Sequence, residues 1–135
     1  AVLRIKLKEL DQYILNRQKA ANYYDENLKE LDQLTLPYRS LDSNHVFHQY
    51  TLKLDDFIVR DELIKYLADK KIPAMVYYPV PAHKQKMFSK IPNSYGNMKV
   101  TNWLSSRVIS LPMHTELSTL QQDYIIENIS NFLNK

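Results

Sequence analysis

Apolar side chains recur at Leu3, Leu7, Leu10, Ile14, Ala21, Tyr24, Leu28 and Leu31 in alternating steps of three and four, with Arg17 filling the one gap. That spacing puts them on one face of a helix, so a long helix is predicted over residues 1–34, with a kink near Asp11. A short extended piece, LTLPY, ends at Pro37, and the polar loop RSLDSNH follows. In VFHQYTLKL the period changes to two. Val46, His48, Tyr50, Leu52 and Leu54 would share one face of a strand over 46–54, and Phe47, Gln49, Thr51 and Lys53 the other. RDELIKYLADKKI (60–72) reads as a helix with acids in its first turn and lysines in its last, as the helix dipole prefers. PAMVYYPV (73–80) is predicted to be a strand broken at Pro79, and HKQKMF fits a single helical turn. A short helix is expected over 100–108, then a short strand, ISLP, stopped by Pro112. Ser118 with Gln121 forms a capping box, which opens a last helix that buries its Tyr124, Ile125, Ile129 and Phe132 side.

The resulting order is helix, strand, strand, helix, strand, helix, strand, helix, without internal repeats. It predicts an α+β fold: a small, mostly antiparallel sheet with helices on one face, preceded by the long first helix. A length of 135 residues fits a single domain, and 44% hydrophobic residues are enough to build its core. The first residues, AVLRIKLKEL, carry no cap, Met or turn, so the chain is expected to be part of something longer. The absence of Cys removes thiolate nucleophiles and cysteine-based zinc sites, and fits a reducing compartment, the cytoplasm. Gly96 is the single glycine, so there is no glycine-rich loop to cradle a phosphate. No apolar run approaches the ~18 residues that span a bilayer, and no membrane partner is expected.

The residues that could carry chemistry are few. His45 and His48 stand three apart on a predicted strand, so they would face opposite sides and could not share a metal. His48 is expected to be a core-facing histidine with a satisfied hydrogen bond. His83 and His114 are isolated. No serine stands in a strand–turn–helix elbow, and Asp55–Asp56 and Asp61–Glu62 lie beside a helix start where capping accounts for them. The stretch VYYPVPAH (76–83) is more unusual. It brings two adjacent tyrosines and a histidine to the end of a strand that two prolines halt, and loops beyond strand ends are common places for sites. HKQKMFSK adds Lys84, Lys86 and Lys90. These form either a solvated loop or a positive edge beside an anionic ligand. One tyrosine of the pair could equally be a core residue.

The sequence of blocks AVLRIKLKELDQYILNRQKAANYY, HVFHQYTLKL, RDELIKYLADKKI, VYYPVPAH and VISLPMHTELSTLQQDYIIENI resembles the C-terminal part of the PLP-dependent sugar aminotransferases, the DegT/DnrJ/EryC1/StrS family of fold type I. The blocks cover nearly the whole chain. The resemblance implies a C-terminal small domain spanning 1–135, with the helix over 1–34 linking it to a cofactor domain. It also implies an enzyme that moves an amino group from an amino acid, usually glutamate, to a nucleotide-linked keto sugar in amino-sugar and cell-surface polysaccharide biosynthesis. A homodimer with active sites at the subunit interface belongs to the same picture. The cofactor lysine and the aspartate that pairs with the pyridine nitrogen would lie upstream, so no pyridoxal phosphate and no catalytic residue is expected in this chain, and it would be inactive alone. Tyr77-Tyr78-Pro79 stands where the family usually has His-Tyr-Pro, which makes Tyr77, Tyr78 and His83 the candidate substrate-binding residues. Two further departures are Lys71, where Gly is common, and Thr115, where a proline is common. The tight reversal before Pro73 predicts positive φ at Lys71. Two other readings are a nucleic-acid-binding module, from the pI ≈ 9.0 and the tyrosines, and a helical interaction domain built on the first helix. The lysines alternate with acids and the strands are clear, which weighs against both, so no nucleic-acid partner is expected.

Overall fold

The computed structural model describes residues 2–90 and 96–134. The first apolar stripe does form helix, but in two pieces. α1 (Val2–Lys6) passes through a 3₁₀ turn (Leu7–Glu9) into α2 (Leu10–Leu28). The break therefore falls at Glu9 (φ −99°, ψ 1°), just before the expected kink at Asp11. The helical path ends at Leu28 and not at 34, because Leu34–Thr35 is taken up as strand β1. Strand β2 (Tyr50–Leu54), helix α3 (Arg60–Asp69), helix α4 (Lys99–Leu104), strand β3 (Val108–Leu111) and helix α5 (Thr119–Leu133) complete the described strands and α-helices.

The sheet has the order β1-β2-β3, antiparallel throughout, with Leu34 opposite Leu54 and Tyr50 opposite Leu111. Tyr50, Leu52 and Leu54 alternate into the core, where they meet Tyr24 and Leu28 of α2, Leu63 and Leu67 of α3, and Ile125 and Ile129 of α5. The α+β arrangement with the larger helices over one face is thus the one the patterning predicts. On the other face Lys53 lies over the Trp103 ring of α4, 5.3 Å from its centroid. α5 opens with the expected capping box: Gln121 N donates to Ser118 Oγ, and the Gln121 side chain accepts from Ser118 N at 2.9 Å. Tyr124 departs from expectation, being 48% exposed with its hydroxyl donating to Lys70 O.

Two predicted strands are shorter than the patterning implied. β2 starts at Tyr50 because Phe47 adopts φ 47° and turns the chain out of extended geometry. Before the strand this reverses the assigned faces at 46–48: Phe47 is fully buried, while Val46 and His48 are exposed. His48 is therefore no core histidine. The left-handed turn is clamped from several sides. Phe47 N donates to His45 Nδ1 at 2.9 Å, Arg17 Nη1 donates to Phe47 O (3.4 Å) and His48 O (3.3 Å), and the Arg39 guanidinium sits 4.0 Å over the Phe47 ring. Arg17, the gap in the apolar stripe, thus satisfies carbonyls freed by the turn. The segment 73–80 makes one bridge, Met75 with Ser110, and no strand. Pro73, Pro79 and Pro81 have no N–H to donate, and β3 runs only to Leu111 before Pro112.

Lys71 behaves as expected, with φ 61°. Ile72 N donates to Leu67 O at 2.8 Å and Lys71 N to Ala68 O at 2.9 Å, the paired bonds of a Schellman cap, and buried Ile72 packs in the same core cluster as Leu67. A Cβ in the left-handed region costs about 1 kcal/mol, more than glycine's extra unfolded-state entropy. Lys71→Gly is therefore expected to raise the urea midpoint slightly without changing the m-value. A lowered midpoint would show that the cap carries no such strain.

Candidate functional site

After the Met75–Ser110 bridge the chain leaves the sheet edge and stays irregular. Tyr77 and Tyr78 lie on this stretch, 47% and 79% exposed. Among the described residues neither hydroxyl takes part in a hydrogen bond, so both are available to a ligand. Pro81 is buried and leads into two 3₁₀ turns, Ala82–Lys84 and Lys86–Phe88, where one helical turn was expected. His83 is half-buried, with Nε2 3.2 Å from Asn102 Oδ1 on α4. The three predicted site residues thus share one irregular stretch, the tyrosines exposed and His83 half-buried, with Lys84, Lys86 and Lys90 exposed just beyond. Asn102 was not singled out from the sequence; a polar residue in a short helix gives no sign of a partner 19 positions away.

A second feature is a groove of about 980 Å³ beside the first helical pieces, lined by Leu3, Leu7, Leu10 and Ile14 on one wall and by His48 and Thr115 on the other. None of Tyr77, Tyr78 and His83 lines it. Leu3, Leu7 and Leu10 are 82%, 69% and 45% exposed, so this end of the apolar stripe is left uncovered among the described residues. His114 and Tyr124 line a smaller cleft of about 400 Å³ with Ile72 and Leu120. No group of three or more His, Asp or Glu suited to a metal is found among the described residues, and none of their helices is long and apolar enough to cross a membrane.

Every described lysine is exposed except Lys53, which is half-buried beside Trp103, and a lysine that bonds pyridoxal phosphate needs a desolvated pocket. Gly96 (φ 60°) is exposed with open space around it and builds no phosphate cradle.

Residues 1–130 match the family model of the DegT/DnrJ/EryC1/StrS aminotransferase family. A "pleiotropic regulatory protein" of Geobacillus stearothermophilus is 36% identical over 134 residues, covering 98% of this chain and 35% of that protein. A UDP-N-acetyl-3-dehydro-alpha-D-glucosamine 3-aminotransferase of Acidithiobacillus ferrooxidans is 39% identical over 116 residues, 86% of this chain and 30% of its own length. Among solved structures, S. venezuelae DesV in complex with a ketimine intermediate superposes with a TM-score of 0.90 at 28% identity, over 99% of this chain and 35% of that one. The chain spans about a third of the length of the relatives it matches.

Proposed function

The chain belongs to the DegT/DnrJ/EryC1/StrS aminotransferase family, and from that premise we propose that it is the small domain of a longer cytoplasmic enzyme that moves an amino group from glutamate to a nucleotide-linked keto sugar. The observation that carries this reading is a match spanning residues 1–130 together with 39% identity to a nucleotide-sugar aminotransferase. The family is PLP-dependent. Bound pyridoxal phosphate supplies the electron sink for amino transfer; its lysine and phosphate contacts belong to another part of the longer protein, and this chain alone is inactive. The exposed end of the apolar stripe supports that division, since Leu3, Leu7 and Leu10 offer a surface for the rest of the polypeptide to cover. The working enzyme is a homodimer in this reading.

The role of this domain is to supply a wall of the sugar-nucleotide site. The hydroxyls of Tyr77 and Tyr78 donate to sugar or phosphate oxygens, and His83, further along the same stretch, is the third contact. In the longer enzyme, Tyr78→Phe is expected to raise KM for the nucleotide-linked keto sugar or lower kcat, with cofactor binding unchanged. A lost hydrogen bond to a charged group costs roughly 1.5–3 kcal/mol, or about 10- to 150-fold in kcat/KM. Unchanged kinetics across keto-sugar nucleotides would reduce Tyr78 to a surface residue, and lack of any glutamate-dependent amination would sink the assignment itself.

A further inference from the structure

The hydrogen bonds around the proposed wall are mostly local. Lys84 N donates to Pro81 O at 2.9 Å, Gln85 N to Ala82 O at 3.1 Å, and Gln85 Nε2 to Val80 O at 3.1 Å. His83 instead reaches across to α4, where Asn102 Oδ1 lies 3.2 Å from its Nε2. α4 and the turn after it are themselves braced. The Arg60 guanidinium donates to Ser105 O, Trp103 Nε1 donates to Asp56 Oδ1 at 2.9 Å, and Arg107 pairs with that same oxygen at 3.0 Å. The imidazole is therefore held from a helix that is anchored independently of the wall.

The chemistry of that contact has one consequence. With the Asn102 amide oriented so that its oxygen, which only accepts, faces the ring, the contact is a hydrogen bond when His83 Nε2 carries the proton. In the neutral ring this leaves Nδ1 as an acceptor. We propose that Asn102 is a positioning residue that holds His83 as the Nε2–H tautomer, so that Nδ1 accepts a hydrogen bond from a hydroxyl of the bound ligand. Two tyrosine hydroxyls and an imidazole acceptor together suit a polyhydroxylated ligand such as a sugar, which both donates and accepts. The ligand half of this inference rests on the substrate-wall reading above; the tautomer half does not.

Long-range ¹⁵N–¹H correlation spectra of the 135-residue chain, labelled at histidine and assigned with His83→Gln, report the tautomer directly at a pH where the ring is neutral. The expected spectrum shows Nε2 protonated and Nδ1 bare. Asn102→Leu should shift the tautomer ratio by roughly fivefold, the loss of one ordinary hydrogen bond. Asn102→Asp, which keeps an acceptor oxygen, should retain the Nε2–H form, and this arm remains readable if the leucine variant does not fold. A wild-type His83 protonated at Nδ1, an Asn102→Asp chain that loses the Nε2–H form, or a folded Asn102→Leu chain with an unaltered spectrum would each overturn the positioning role. In the longer enzyme, Asn102→Leu should raise KM for the nucleotide-linked sugar several-fold with kcat nearly unchanged, and Asn102→Asp should restore most of it. A tautomer that shifts as expected while KM stays constant would keep the positioning role and overturn the ligand contact.

Discussion

Phe47→Ala is expected to destabilise the domain by about 3–5 kcal/mol, the usual cost of emptying a large aromatic from a core. Phe47 is fully buried, packs 4.2 Å from the His45 ring and 6.3 Å from the Tyr50 ring between centroids, and carries the Arg39 guanidinium on its face. A small domain has only about 5–15 kcal/mol of net stability, so the variant should unfold at a much lower urea concentration or fail to fold at 37 °C. Phe47→Gly separates packing from backbone. It loses the same ring but removes the Cβ from a left-handed conformation (φ 47°), so it should recover about 1 kcal/mol relative to alanine despite glycine's entropy. Urea titrations of the two variants check both parts. A loss below about 1 kcal/mol for Phe47→Ala would mean the ring is not a core element.

The second large effect is expected at Asp25. Its Oδ1 accepts from the Tyr50 hydroxyl at 2.6 Å, and its Oδ2 accepts from Arg39 Nε at 3.0 Å. Arg39 also donates to Asn22 Oδ1 at 3.1 Å, so one carboxylate ties the loop after β1 to both α2 and β2. Asp25→Ala strands a buried tyrosine hydroxyl and frees Arg39 from its partner, at about 2–3 kcal/mol once partial exposure of the pair is allowed for. The same variant has a spectroscopic signature. Burial first, then the hydrogen bond and charge of Asp25, push the Tyr50 ionisation well above the ordinary tyrosine range. Burial alone raises Tyr24. Removing Asp25 should bring the Tyr50 midpoint down while burial keeps it raised, as read by ultraviolet difference spectroscopy during an alkaline titration.

The sign for stability follows from proton binding. Below about pH 10 both tyrosines are protonated in folded and unfolded chains alike. Above that, the unfolded chain releases protons the folded one keeps, so stability falls as pH rises, by up to about 1.4 kcal/mol per pH unit for each tyrosine. A domain that holds its urea midpoint unchanged above pH 10 would contradict the burial of both hydroxyls.

What could be read from the chain was whatever depends on neighbours in sequence. The apolar spacing of the first helix, the alternation of Tyr50, Leu52 and Leu54, the Ser118–Gln121 capping box and the left-handed Lys71 before Pro73 are all local: each rests on residues within one or two turns of one another. The ordering of those blocks was enough to indicate the family. Tertiary structure decided the rest. Alternation alone put Phe47 on the wrong face, because Arg17, about thirty residues upstream, and Arg39 supply the contacts that hold its backbone left-handed. The strand expected over 73–80 met a four-residue β3, and prolines left it too few N–H groups to pair further. His48 faces a groove and His83 faces Asn102 for the same reason: a side chain's environment is set by whichever element folds back beside it, and chain order carries no local trace of that approach.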